Sequence, residues 1–160
     1  MRFTVKALGD YTSRLLQLIE PGMPGVIGGP HGRFNHRKGT ARQVWIAGGV
    51  GVAPFLSWLR ALDGRLDHRV DFFYSAAGEA AFAEEILAIA ARHDSLHAHL
   101  VDTRAEGRLT VPRVLAAAGP TRGLSVFMCG PGPMLRSFQS ELRLAGVPMR
   151  HIHREHFDWR

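Results

Sequence analysis

Cysteine is almost missing from this chain. Cys129 is the single one, which excludes an internal disulfide and any cluster held by several thiolates. Long apolar runs are missing too. Nothing approaches the roughly 20 residues that a membrane-spanning helix needs, and Met1-Arg2 leads into an alternating run and not into a signal-peptide pattern. These absences point to a soluble, cytoplasmic polypeptide, or to a soluble part at the cytoplasmic face of a membrane if a longer chain precedes it. Lys and Arg outnumber Asp and Glu by 20 to 14, for a formal charge of +6, yet no long basic run exists. No zinc-finger spacing or aromatic RNA-binding signature accompanies that charge, so nucleic acid is not the expected partner. An anionic cofactor suits the same sign of charge.

Several catalytic signatures are also lacking. There is no G-K-[ST] phosphate loop, no G-x-S-x-G elbow around Ser57, and no G-x-G-x-x-G fingerprint. Neither Tyr11 nor Tyr74 has a lysine four residues later. His151, His153 and His156 lie close in sequence, with 151 and 153 expected on one face of a strand, but no fourth ligand with suitable metal-binding spacing is evident.

What is there is an alternation. Strand-like runs occur at Val44–Ala47, Val70–Tyr74, Leu96–Val101, Leu124–Met128 and His151–His153. Helical patterns separate them, at Pro54–Leu62, Ala80–Arg92, Thr110–Ala117 and Pro133–Ala145. Thr110 is the expected cap of its helix, with Pro112 in the first turn. Alternation of this kind predicts an α/β fold, a five-stranded parallel sheet with helices on both faces. The first 35 residues break the pattern. Phe3–Lys6 alternates like a strand, Tyr11–Ile19 is helix-like, and Gly28-Gly29-Pro30-His31-Gly32 makes an irregular turn. Asn35–Arg42 is polar and basic and reads as a linker. Two regions follow: 1–35, the end of a preceding domain, and 36–160, a nucleotide-binding domain.

The sharpest motif is Val44-Trp45-Ile46-Ala47-Gly48-Gly49-Val50-Gly51-Val52-Ala53-Pro54. A buried strand runs into glycines and a helix begins at once. Glycines let backbone come close to a ligand, and a helix start offers free N–H groups to a pyrophosphate. The plainer reading is a glycine-rich turn with no ligand. A second motif, Val126-Phe127-Met128-Cys129-Gly130-Pro131-Gly132-Pro133-Met134, also carries a strand into a turn before a helix. Ligands of parallel sheets lie at the carboxyl ends of strands, so both turns are expected at one edge. Alone, Cys129 reads as a small buried hydrophobe.

Together these motifs resemble the NAD(P)-binding domain of the ferredoxin–NADP reductase superfamily. Gly28-Gly29-Pro30-His31-Gly32-Arg33-Phe34 is similar to the close of its flavin domain, with His31 where an aromatic is common. Gly9-Asp10-Tyr11-Thr12 resembles the helix start that meets the flavin pyrophosphate. Asp102-Thr103 through Thr110 matches the segment after the third strand, and Glu155-His156-Phe157 the C-terminal Glu-x-Phe. Gly9, the Trp45 strand and the C-terminal motif most resemble bacterial ferric-reductase and NADPH-oxidase-like proteins. One departure is that Gly9 stands where an arginine would open the flavin motif, and most of a flavin barrel would lie before Met1.

The resemblance implies a flavin-dependent oxidoreductase that passes a hydride from NAD(P)H to FAD, and electrons on to a haem domain or another redox protein. It implies FAD contacts at Gly9, Thr12, Gly29, Pro30 and Gly32. Gly48, Gly49, Gly51, Val52, Pro54 and Ser75 would hold the dinucleotide. Cys129, Gly130, Pro131 and Met134 would line its nicotinamide side, with Cys129 positioning the ring and not acting as a nucleophile. Glu155 would be a polar partner near the reacting rings, and Phe157 would cover the flavin. The alternatives are the reductase of an oxygenase system and a non-catalytic NAD(P)H sensor. Ala76 and Ala77 follow the second strand where an acid or an arginine would discriminate NADH from NADPH.

Overall fold

The structure is a computed structural model, and it describes residues 5, 7, 9–26, 28, 33–63 and 66–155. It divides into two compact units, Met1–Arg33 and Phe34–Arg160. In the first unit the described element is helix α1, Asp10–Leu18, which buries none of its residues. Gly9 caps it with φ +114, a conformation that suits glycine. The strand expected at Phe3–Lys6 lies, apart from Val5, outside the described residues.

The second unit is the expected α/β domain. Its five strands are β1 (Arg42–Gly48), β2 (Arg69–Ala76), β3 (Leu96–Asp102), β4 (Leu124–Cys129) and β5 (Ile152–Glu155). They form one sheet in the order β3-β2-β1-β4-β5, and every pairing is parallel. The helices are α2 (Ala53–Arg60), α3 (Ala83–Ala90), α4 (Val111–Ala118) and α5 (Gly132–Leu144).

Residue alternation sorts the core into two layers. Trp45, Phe72, Tyr74 and Phe127 face one side and pack on Phe55, Leu56 and Leu59 of α2 and Ile86 and Ile89 of α3. Val44, Ile46, Phe73 and Met128 face the other and pack on Val114 of α4 and Leu135, Phe138 and Leu142 of α5. Each central strand is therefore buried on both faces, which is why it reads as a continuous apolar run. Burying a side chain the size of Trp45, fully enclosed here, stabilises the fold by about 3–5 kcal/mol relative to alanine. Thr110 caps α4 as expected, its hydroxyl accepting from the Arg113 N–H at 3.4 Å, with Pro112 in the first turn.

Two expectations need correcting. Residues 35–42 are not a bare linker. Arg42 belongs to β1, and His36–Lys38 form a 3-10 turn. The His36 ring packs 5.3 Å from Trp45 and 5.1 Å from Trp58, centroid to centroid. The buried Gln43 side chain fixes that turn, donating to the carbonyls of His36 and Thr40 while accepting from the Trp45 indole. The polar composition hid a segment whose ring and backbone, not its charges, do the packing. Likewise His151 and His153 do not share a strand face, because β5 begins only at Ile152. His151 sits in a 3-10 turn with Nδ1 3.3 Å from the Ser125 hydroxyl, while His153 stacks on Phe127.

Candidate functional site

The strand order reverses between β1 and β4. The chain leaves β1 for α2 on one face of the sheet and leaves β4 for α5 on the other. In a parallel sheet such a reversal is where a ligand is expected, at the carboxyl rim. Register places the residues of interest in two adjacent rows at that rim. Gly48 pairs with Ser75 of β2, Ala47 with Cys129 of β4, and Cys129 with Glu155 of β5.

The glycines in the turns after β1 and β4 have two different duties. A Cβ on Gly51 would overlap the carbonyl oxygen of Cys129. A Cβ on Gly48 would stand 2.7 Å from Met134 Sδ, and one on Gly130 2.7 Å from Met134 Cε and 3.1 Å from the Gly48 Cα. These three glycines let the β1 and β4 turns touch. Gly49 differs. It adopts φ +55, in the left-handed region, and a Cβ there would meet nothing within 4 Å. Its open side is where a ligand can reach the backbone.

Gly49–Val52 form a 3-10 turn that leads into α2, and no side chain caps either start. The first amides of such a helix lack internal partners. Val52 is core, with its side chain buried among the apolar residues, so only its backbone is available to a ligand. Pro54 lies in the first turn of α2. The arrangement fits a pyrophosphate: bare amides, a partial positive charge, and an unobstructed glycine.

On the β4 side, Cys129 is fully buried. Burial first, and the Glu155 charge second, push its thiol up to about 12. It is therefore a neutral thiol at ordinary pH. Pro131 caps α5 without a side-chain bond, and Met134 in its first turn packs against the core below. Glu155 is half-buried at the end of β5. In the first unit, Gly9 and Thr12 lie at the start of α1, where the Thr12 hydroxyl donates to the Gly9 carbonyl at 3.5 Å. Gly29, Pro30, Gly32 and Phe157 lie outside the described residues.

Sequence reasoning gave the loops after β2 and β3 too little. Asp102 Oδ1 accepts from the backbone N–H groups of both Gly78 and Arg104, each at 2.8 Å. Those bonds, the Arg104 one foremost, hold its carboxyl below the usual carboxylate range. The Thr103 hydroxyl and N–H both donate to the Ala76 carbonyl. One short Asp-Thr pair thus ties two rim loops together. The Asp102-Thr103 match carried that signal; the pairing partner did not. Phe82, just before α3, holds φ 65, and nothing in the sequence announces it.

A family model for the oxidoreductase NAD-binding domain matches residues 45–140. Vanillate O-demethylase oxidoreductase of Pseudomonas putida is 29% identical, aligned over 98% of this chain and 50% of its own length. The ferredoxin reductase component of 3-ketosteroid-9-alpha-monooxygenase of Mycolicibacterium smegmatis is 31% identical over 96% of this chain and 45% of its own. The chain thus spans about half the length of the curated relatives it matches. Among solved structures, flavohemoglobin from Malassezia yamatoensis, with FAD and haem bound, superposes with a TM-score of 0.66 at 24% identity, covering 74% of this chain and 32% of that one. An Amycolatopsis cytochrome P450 reductase gives 0.65 at 22%, covering 81% and 42%. At such identities these structures establish the fold.

Proposed function

The chain belongs to the oxidoreductase NAD-binding domain family, and from that premise we propose that it presents NAD(P)H to a flavin in a reductase that feeds an oxygenase component. The observation that carries this reading is the meeting of two turns, Gly48–Val52 and Cys129–Pro131, at the point where the strand order reverses. One relative is the ferredoxin reductase component of a monooxygenase, which favours that acceptor over the haem of a ferric-reductase-like protein.

The dinucleotide supplies the chemistry when bound: a hydride leaves the dihydronicotinamide for the flavin, oxidising one and reducing the other by two electrons. The chain's own residues bind and orient. The backbone amides of Gly49, Val50 and Gly51 hold the pyrophosphate. Cys129, Gly130 and Pro131 wall the nicotinamide side through their backbone, and the buried, neutral Cys129 side chain supports that wall from the core. Glu155, across the β5 edge from Cys129, keeps a polar group beside the reacting rings. In the first unit, Gly9 and Thr12 offer the uncapped start of α1 to the flavin pyrophosphate. Residues 1–35 serve as the end of the FAD-binding domain and residues 36–160 as the NAD(P)-binding domain. Orienting the dihydronicotinamide ring is what the second unit contributes to the rate.

Titration of the folded chain with NADH and NADPH, followed by nicotinamide fluorescence, tests the reading. Saturable binding that Gly49→Val weakens while circular dichroism stays unchanged is expected. Absence of saturable binding by the unmodified, folded chain sinks the assignment.

A further inference from the structure

With the pyrophosphate between β1 and β4 and the nicotinamide toward β4, the adenosine half runs the other way, over the ends of β2 and β3. The sheet order puts β2 and β3 on the side of β1 away from β4. What a ribose meets there decides which coenzyme is preferred. A carboxylate closing β2 would hold both ribose hydroxyls and repel a 2′-phosphate. Here β2 ends in Ser75 and Ala76, followed by Ala77 and Gly78.

The nearby carboxylates are committed or turned away. Asp102 is held by the backbone N–H groups of Gly78 and Arg104. Glu106 is paired with Arg113 at 2.7 Å. Glu79 is exposed and lies in no ion pair with Arg104 among the described residues.

Arg104 is the opposite case. Its own N–H donates to the same Asp102 oxygen that accepts from Gly78, so Asp102 holds the start of the β3 loop beside the loop after β2. The Arg104 side chain lies along Gly78, where a Cβ would stand 3.4 Å from Arg104 Nη1. Gly78 holds φ +88, a backbone conformation that favours glycine. Among the described residues the Arg104 guanidinium has no hydrogen-bond or ion-pair partner, although it is poised over the loop that borders Ser75. An unpaired, planar five-donor cation is suited to a phosphate monoester.

We propose that Arg104, delivered from the β3 loop across Gly78, selects a coenzyme with a 2′-phosphate, so that the chain prefers NADPH to NADH. This rests on the reading that the dinucleotide lies across this rim. The usual place for such an arginine is directly after β2. In this chain that place is taken by alanines, and the cation arrives from the neighbouring strand.

The test uses two probes of the adenosine half, 2′,5′-ADP and 5′-AMP, titrated calorimetrically into the whole chain. Tighter binding of 2′,5′-ADP is expected, on the order of tenfold for one charge-assisted contact. Arg104→Ala is expected to abolish that difference while leaving 5′-AMP unchanged, and the 2′,5′-ADP preference should weaken with added salt. Arg108→Ala, a neighbouring exposed arginine, should leave the ratio intact. Equal binding of the two probes by the unmodified chain, or a ratio that survives Arg104→Ala, overturns the proposal. If NADH, NADPH and both probes all fail to bind, the dinucleotide reading itself falls, and the coenzyme preference falls with it.

Discussion

Gly51 lies so close to the backbone of Cys129 that a single methyl group on it would overlap the Cys129 carbonyl oxygen. The β1 and β4 turns are in contact because of that missing side chain. Gly51→Ala is therefore expected to destabilise the domain by about 1–3 kcal/mol, the usual cost of forcing an extra carbon into close packing. Gly49→Ala is the contrast. It meets open space and bears only its left-handed φ, a cost of about 1–2 kcal/mol. Chemical denaturation measures both. The assignment of separate duties fails if Gly49→Ala is the more damaging to stability, or if coenzyme affinity is insensitive to Gly49→Val.

The Cys129 thiol gives a second prediction. Its value is raised from 9.0 to about 12, chiefly by burial. A raised value means that the folded state holds its proton more tightly than the unfolded state does. Stability from this group is complete below about pH 9 and declines as pH climbs toward about 12. Folded protein should resist iodoacetamide at pH 8 and react readily once unfolded in urea. Rapid labelling of the native chain would contradict a buried positioning thiol.

His36 behaves with the opposite sign. Burial, then the neighbouring His68 and Arg37, lower it from 6.5 to about 4. The unfolded chain therefore binds the proton first. Stability is present above pH 6.5 and is lost as pH falls toward about 4. His153 is lowered as well, by burial and by His151 and Lys38, so it shares the effect. Urea midpoints at pH 7.5 and pH 5 should differ, and His36→Phe should narrow the difference without abolishing it. An unchanged difference in the variant would place the acid sensitivity elsewhere.

Asp102 gives a prediction about motion. Its carboxylate joins the loops after β2 and β3 through Gly78 and Arg104. Asp102→Ala should speed hydrogen exchange at those two amides while leaving exchange in the centre of β1 unchanged. Because the carboxyl lies below its usual range, the bonds persist above that range and weaken as acid protonates it. Equal exchange rates in the variant and the unmodified chain would show that the loops are held by something else.

Much of this was legible in the sequence because each central strand is buried on both faces. Trp45 to Ala47 and Val126 to Cys129 read as apolar runs for that reason, and the strand-turn-helix pattern at each put both turns at one edge of the sheet. Thr110 and Pro112 announced the start of α4 through local chemistry alone. Other features were hidden. The packing of His36 depends on Trp45 and Trp58, which no local pattern links to it. The division of labour between Gly49 and its neighbours depends on Met134 and Cys129, some 80 residues away. The reach of Arg104 to Gly78 depends on which strands are neighbours, and composition carries no trace of that.

The row formed by Tyr74, Ala47, Cys129 and Glu155 is a ruler. From β2 through β1 and β4 to β5 the backbone ladders take three steps, each about 4.8 Å. A molecule lying across the rim meets anchor points at intervals set by hydrogen-bond geometry and by no side chain. Substitution can alter what each mark offers, but respacing the marks would require the strands to exchange places.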